Sequence, residues 1–225
     1  MIKENKTYIW SLPTRIFHWS LALFILVAWI SADDDFLQIH SAVGYALIVL
    51  ALFRLLWAGM GPKYSHFRDL NFNLIKAVDF SKNVFTSKEK HLGHNPAASL
   101  VMSLIIIVTL IISVTGILTL GAQEAKGVFS SLNQTFLKDW ELFEGIHELT
   151  ANLLLVFIFM HLAGVASDKL LHGKDETLNS IITGYKNIKG ESIKLNLLQK
   201  ILFIIFFVIT ILIIYFTFTG LAFLY

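Results

Sequence analysis

Five stretches of the chain are apolar at nearly every position, and its polar residues gather between them. They run from Arg15 to Ala32, Ile39 to Ala58, Ala97 to Leu120, Phe143 to Ser167 and Ile201 to Leu224. Crossing a hydrocarbon core of about 30 Å takes about 20 helical residues, and each stretch is close to that length. Lipid offers no water to backbone N–H and C=O groups, so such runs must bond within themselves as helices. The alternation of a membrane β-barrel is absent. The pattern predicts an all-α fold, a transmembrane bundle of five membrane-spanning helices. The first stretch, which ends before Asp33, Asp34 and Asp35, also has the outline of a signal-peptide core. Arg15 and His18 inside it, and Ile30 three residues before the potential cut, favour a retained span.

Composition supports the membrane class. Of the 225 residues 56% are hydrophobic, only 15% are charged, and mean hydropathy is +0.68; soluble domains carry about 25% charge. With no cysteine, disulfides, iron–sulfur clusters, thiolate metal sites and c-type haem attachment are excluded. No Walker loop, dinucleotide fingerprint, internal repeat or low-complexity tract is present, and nothing points to a nucleic-acid partner.

Charge distribution sets an expected orientation. All of the 18 Lys and Arg residues except Lys126 and Lys138 fall at the N-terminus and in, or at the edge of, the second and fourth connections. The positive-inside rule then puts the N-terminus in the cytoplasm and the C-terminus in the periplasm of a bacterial inner membrane. "FNLIKAVDFSKNVF" and "ETLNSIITGYKNI", within the two basic connections, read as short amphipathic helices lying on the lipid surface.

Four of the eight histidines, His66, His91, His94 and His172, fall in connections. The others lie in or at the ends of spans: His18 in the first, His40 in the second, His147 and His161 in the fourth. The expected topology sets His18 and His161 toward the cytoplasm, and His40 and His147 toward the outside. Fourteen residues of helix rise about 21 Å and fall about 40° short of four turns, so His147 and His161 share one face at two depths. One ion cannot bridge that distance, but two sites can each take a second ligand from helix one or two. Two imidazoles per site, without thiolate or carboxylate, suit a b-type haem, whose porphyrin supplies the other four nitrogens. Small residues one turn away, Gly44, Ala151, Ala22 and Gly164, would let a flat ring approach. Copper or zinc would be left with incomplete coordination. A single intramembrane histidine can equally be a helix contact or part of a proton path.

The segments "WSLPTRIFHWSLALFILVAWIS", "IHSAVGYALIVLALFRLLWAGMGPKYSHF", "GHNPAASLVMSLIIIVTLIISVTGIL" and "HELTANLLLVFIFMHLAGV" resemble the prokaryotic cytochrome b-561 family, which includes the b-type cytochrome subunit of nickel–iron hydrogenases. The resemblance covers roughly residues 8–190. It implies an integral membrane cytochrome with two haem b groups, exchanging electrons with the quinone pool. The family's iron ligands map onto His18 with His161 for an inner haem and His40 with His147 for an outer one. Residues 1–195 would form the dihaem four-helix domain, and residues 196–225 an additional C-terminal helix. Members of the family often form homodimers.

Arg15, Arg54 and Lys174 could neutralise haem propionates, or Arg15 and Arg54 could be ordinary boundary anchors. His94 could serve a quinone site or cap a helix. No carboxylate occupies the middle of a span, which argues against a proton pump. Two functions follow: a relay between quinone and a periplasmic redox partner, such as a c-type cytochrome or hydrogenase, or a stand-alone enzyme oxidising superoxide or another small reductant. Asp33, Asp34, Asp35, Glu141 and Glu144 could steer a basic partner, or merely complement the charge rule.

Overall fold

The computed structural model describes residues 6–84, 90–172 and 177–219. Lys3, Lys88, Lys174 and the end of the fifth predicted span, 220–224, lie outside the described residues, as does the side chain of His172. The helices in chain order are α1 (Leu12–Ile30), α2 (Leu37–Met60), α3 (Leu74–Lys82), α4 (Pro96–Ala122), α5 (Leu142–His172), α6 (Thr177–Thr183) and α7 (Leu197–Phe218). Five of them, α1, α2, α4, α5 and α7, are long and apolar enough to cross a membrane. Helices α3 and α6 fall in the two segments read as amphipathic.

Capping chemistry moves several ends from where hydropathy alone sets them. Helix α4 starts at Pro96 because Asn95 Oδ1 accepts from the Ala98 amide at 2.8 Å, and proline at the first position lacks only an N–H that would be unpaired there. Helix α7 starts four residues before the predicted span. There Asn196 Oδ1 accepts from the Gln199 amide at 2.8 Å, and Gln199 Oε1 accepts from the Asn196 amide at 3.0 Å, a reciprocal capping box. Apolar side chains such as Leu26, Trp29, Phe159 and Ile204 stand exposed on the long helices. Lipid contact accounts for them where water would not.

The chain divides into two compact units: Met1–His18 with Leu55–Ile105 and Val156–Lys200, and Trp19–Arg54 with Ile106–Leu155 and Ile201–Tyr225. In the first unit, strand β1 (Thr7–Tyr8) pairs antiparallel with strand β2 (Tyr185–Lys186), with Thr7 opposite Lys186 and Tyr8 opposite Tyr185. The Gly184 carbonyl accepts from the amides of Ile9 at 2.9 Å and Trp10 at 3.2 Å. Gly184 has φ +89°, and a Cβ there would lie 2.4 Å from Tyr8 Cε2, so glycine is required on two counts. Around this tie, Ile9, Trp10, Tyr64 and Ile193 form a buried cluster with Tyr8, Leu92 and Ile181 against it. Trp57, 1% exposed, donates from Nε1 to Thr14 Oγ1 at 3.1 Å, which holds the end of α2 on the start of α1.

In the second unit, α7 packs on α2 through Phe53, whose ring lies 5.3 Å from Phe206 and 6.3 Å from Phe203. Gln38 Nε2 donates to the Phe218 carbonyl at 3.0 Å. Asn133 Nδ2 donates to the Ala122 carbonyl at 2.7 Å and the Gln123 carbonyl at 3.3 Å, satisfying acceptors that the end of α4 leaves open.

Candidate functional site

In the second unit the rings of His40 on α2 and His147 on α5 have centroids 5.9 Å apart, with planes at 69°. Each ring is tied by Nδ1 to a backbone carbonyl: His40 to Ala28 at 2.9 Å and His147 to Ile112 at 2.8 Å. A carbonyl only accepts, so each Nδ1 carries the proton, and in the neutral ring Nε2 keeps the lone pair. Ala28 lies in the last turn of α1, where carbonyls lack a helical partner. Ile112 lies within α4, and its carbonyl also accepts from Thr115 Oγ1 at 3.1 Å. Four helices therefore meet at this pair, two giving imidazoles and two giving the carbonyls that orient them.

In the first unit the rings of His18 on α1 and His161 on α5 have centroids 6.2 Å apart, with planes at 59°. All four histidines are half-buried. One turn before His18, Arg15 donates from Nη1 to the Ile182 carbonyl, and its Nε is buried without a hydrogen-bond partner. Nearer the tie, the ring of His94 lies 4.8 Å from Trp10, whose Nε1 donates to Ser180 Oγ at 3.1 Å. The cap of α4 is Asn95 and not His94.

The other candidates are distributed as follows. Arg54 belongs to the second unit and is half-buried on α2. Gly44, one turn after His40, would have nothing within 4 Å of an added Cβ, and Gly164 after His161 likewise. His66 lies 3.5 Å from Asp69 in a short surface turn, and His91 packs on Phe80 with centroids 5.6 Å apart. Asp33, Asp34, Asp35, Glu141 and Glu144 are exposed on the second unit. Three residues beside His40 and His147 have no clear signal in the sequence: Ala28, Ile112, and Gly116 on α4, where an added Cβ would lie 2.7 Å from His147 Cε1. The first two act through backbone oxygens, which leave no trace in residue type. The one signal for Gly116 is a glycine inside an otherwise apolar span.

Residues 9–184 match the family model described as Prokaryotic cytochrome b561, and the chain belongs to that family. It is therefore a multi-pass membrane protein of an electron-transfer family that carries b-type haem. Among its relatives is the probable Ni/Fe-hydrogenase B-type cytochrome subunit of Azotobacter chroococcum mcd 1, 24% identical over 84% of this chain and 92% of the relative. The proteins of the same description from Bradyrhizobium diazoefficiens and Cupriavidus necator are 25% and 22% identical, each over 81% of this chain and over 86% and 88% of the relative. No solved structure matches significantly.

Proposed function

We propose that the chain binds two b-type haems, one between His18 and His161 and one between His40 and His147. Through them it would pass electrons across the bacterial inner membrane, between the quinone pool and a periplasmic redox partner. The observation that carries this reading is the paired imidazoles. A metal–imidazole bond is about 2 Å long and the ring centre lies about 1 Å behind the nitrogen, so two rings facing across an iron have centroids about 6 Å apart. The two pairs have 6.2 and 5.9 Å. An edge-to-face aromatic pair has similar spacing, but the carbonyl bonds at His40 and His147 favour ligation. They keep Nε2 unprotonated and orient the ring, as second-shell partners of metal-bound histidines do. When bound, the haems supply one-electron exchange at irons with no open position for oxygen.

The chain's own residues supply the rest. Gly44 leaves room beside His40 for a flat macrocycle. The unpartnered Nε of Arg15 is a donor suited to a propionate of the inner haem, and Arg54 is a second cation for the same class of group. Helices α1, α2 and α5 carry the four histidines and α4 gives the Ile112 carbonyl, all within residues 1–195, while α7 carries none of these groups. By the positive-inside rule the N-terminus faces the cytoplasm, and Asp33, Asp34, Asp35, Glu141 and Glu144 face the periplasm, where they suit a basic partner. The relatives' description as hydrogenase cytochrome subunits supports a redox partner for this chain.

In liposomes loaded with reduced quinone, the purified protein should reduce an added basic c-type cytochrome, and His40→Ala and His161→Ala variants should not. Equal rates with and without the protein would reject the relay. Quinone reduction by superoxide with no partner protein would instead favour the small-reductant enzyme.

A further inference from the structure

On α4, Gly116 faces the ring of His147 closely enough that a Cβ on it would lie 2.7 Å from Cε1 and 2.9 Å from Nδ1 of that imidazole. Real Cβ contacts are not this short, and the atoms met belong to a ring held by a bond, not to the free end of a flexible side chain. By contrast Gly44, Gly59, Gly145 and Gly164 have nothing within 4 Å of the same position. Gly116 is also the residue one helical turn after Ile112, whose carbonyl takes the Nδ1 proton of His147 at 2.8 Å. An imidazole reaching that carbonyl must pass over the surface of α4 where residue 116 would put its side chain. Backbone strain is not the reason for glycine here, since an α-helical residue accepts any L side chain; close approach is.

We propose that Gly116 is a positioning residue of the outer site, admitting the His147 ring to the Ile112 carbonyl so that this bond fixes the ring's tautomer and its donor strength toward iron. The inference rests on the reading of His147 as a haem ligand. The bond has a competitor, because Thr115 Oγ1 donates to the same carbonyl at 3.1 Å while also reaching the Ile111 carbonyl at 2.9 Å. Two substitutions therefore push the bond in opposite senses. Gly116→Ala displaces the ring and weakens it. Thr115→Val keeps the shape, removes the competing hydroxyl and strengthens it.

A carbonyl partner makes the imidazole more electron-donating, which favours ferric over ferrous iron. Losing outer-shell partners of this kind typically costs 10–100-fold in metal affinity. A tenfold loss falling on the ferric state alone would raise a one-electron midpoint potential by about 59 mV.

The experiment is a redox titration with haem counting on the purified full chain, wild type against Gly116→Ala, Thr115→Val and the control Gly59→Ala. One of two haem couples should rise by tens of millivolts, or that haem be lost, in Gly116→Ala, while the other stays. The same couple should fall in Thr115→Val, and neither should move in Gly59→Ala. A folded Gly116→Ala protein with both couples as in wild type overturns the proposal. If Gly116→Ala does not accumulate, Thr115→Val decides: an unchanged or raised couple overturns it. A wild-type chain without haem would instead sink the haem reading. In that case 15N spectra of labelled histidine test Gly116 alone, and an Nδ1-protonated His147 that survives Gly116→Ala overturns the proposal.

Discussion

Arg15 can act as a propionate partner or as a boundary anchor, and one substitution separates the two. Its Nη1 donates to the Ile182 carbonyl, and its Nε is buried without a partner. A buried donor with no acceptor costs about 1–3 kcal/mol, whereas a carboxylate at that position would make a charge-assisted bond worth about 1.5–3 kcal/mol. Since about 1.4 kcal/mol is a factor of ten, losing the bond should weaken retention of the inner haem by about 10- to 150-fold. Arg15→Lys keeps the charge and can still donate to the Ile182 carbonyl, but it lacks the Nε–H of the guanidinium fork. A propionate partner therefore predicts weakened retention in Arg15→Lys as well as in Arg15→Gln. An anchor predicts that Arg15→Lys behaves as wild type, because either cation satisfies the boundary. The assay is haem transfer from the purified variant to excess apomyoglobin, with the second haem as internal reference. Release from Arg15→Lys at the wild-type rate would refute the propionate reasoning.

Gly184→Ala should loosen the β1–β2 tie by about 2–4 kcal/mol, from the positive φ and the contact with Tyr8 together. Hydrogen exchange at the Ile9 and Trp10 amides, which both donate to the Gly184 carbonyl, should accelerate by about two orders of magnitude; wild-type protection would show that the tie tolerates a side chain. Lys63 Nζ lies 2.6 Å from Glu191 Oε2, and this bond lowers the Glu191 carboxyl below its usual range and raises the Lys63 ammonium. The pair should stabilise the first unit at neutral pH and lose that contribution as pH falls through the lowered Glu191 value. Both groups are exposed, so the effect is small and salt-sensitive. The melting difference between wild type and Glu191→Gln should vanish in acid, and a difference that grows there would contradict the assignment.

The spans were readable from the sequence because lipid imposes one solution on a long apolar run, while their ends moved by a few residues, at Asn95 and Asn196 through side-chain caps. The two histidine pairs were readable because a fourteen-residue spacing returns to one helical face. The β1–β2 tie was not, since two residues at Thr7 and two at Tyr185 pair across nearly the whole chain with no local pattern to announce it. The orienting groups at the outer pair were equally silent. Any residue at 28 or 112 offers the same carbonyl, and the need for glycine at 116 arises only when α5 brings an imidazole against α4.

The measurement that bears most directly on the central claim is haem stoichiometry with reduced-minus-oxidised spectra for wild type, His147→Ala and His161→Ala. Wild type should hold two b-type haems per chain and each variant one, with the two variants keeping spectrally different haems. Loss of the same haem in both variants, or a wild-type chain that takes up none when haem is supplied, would contradict it.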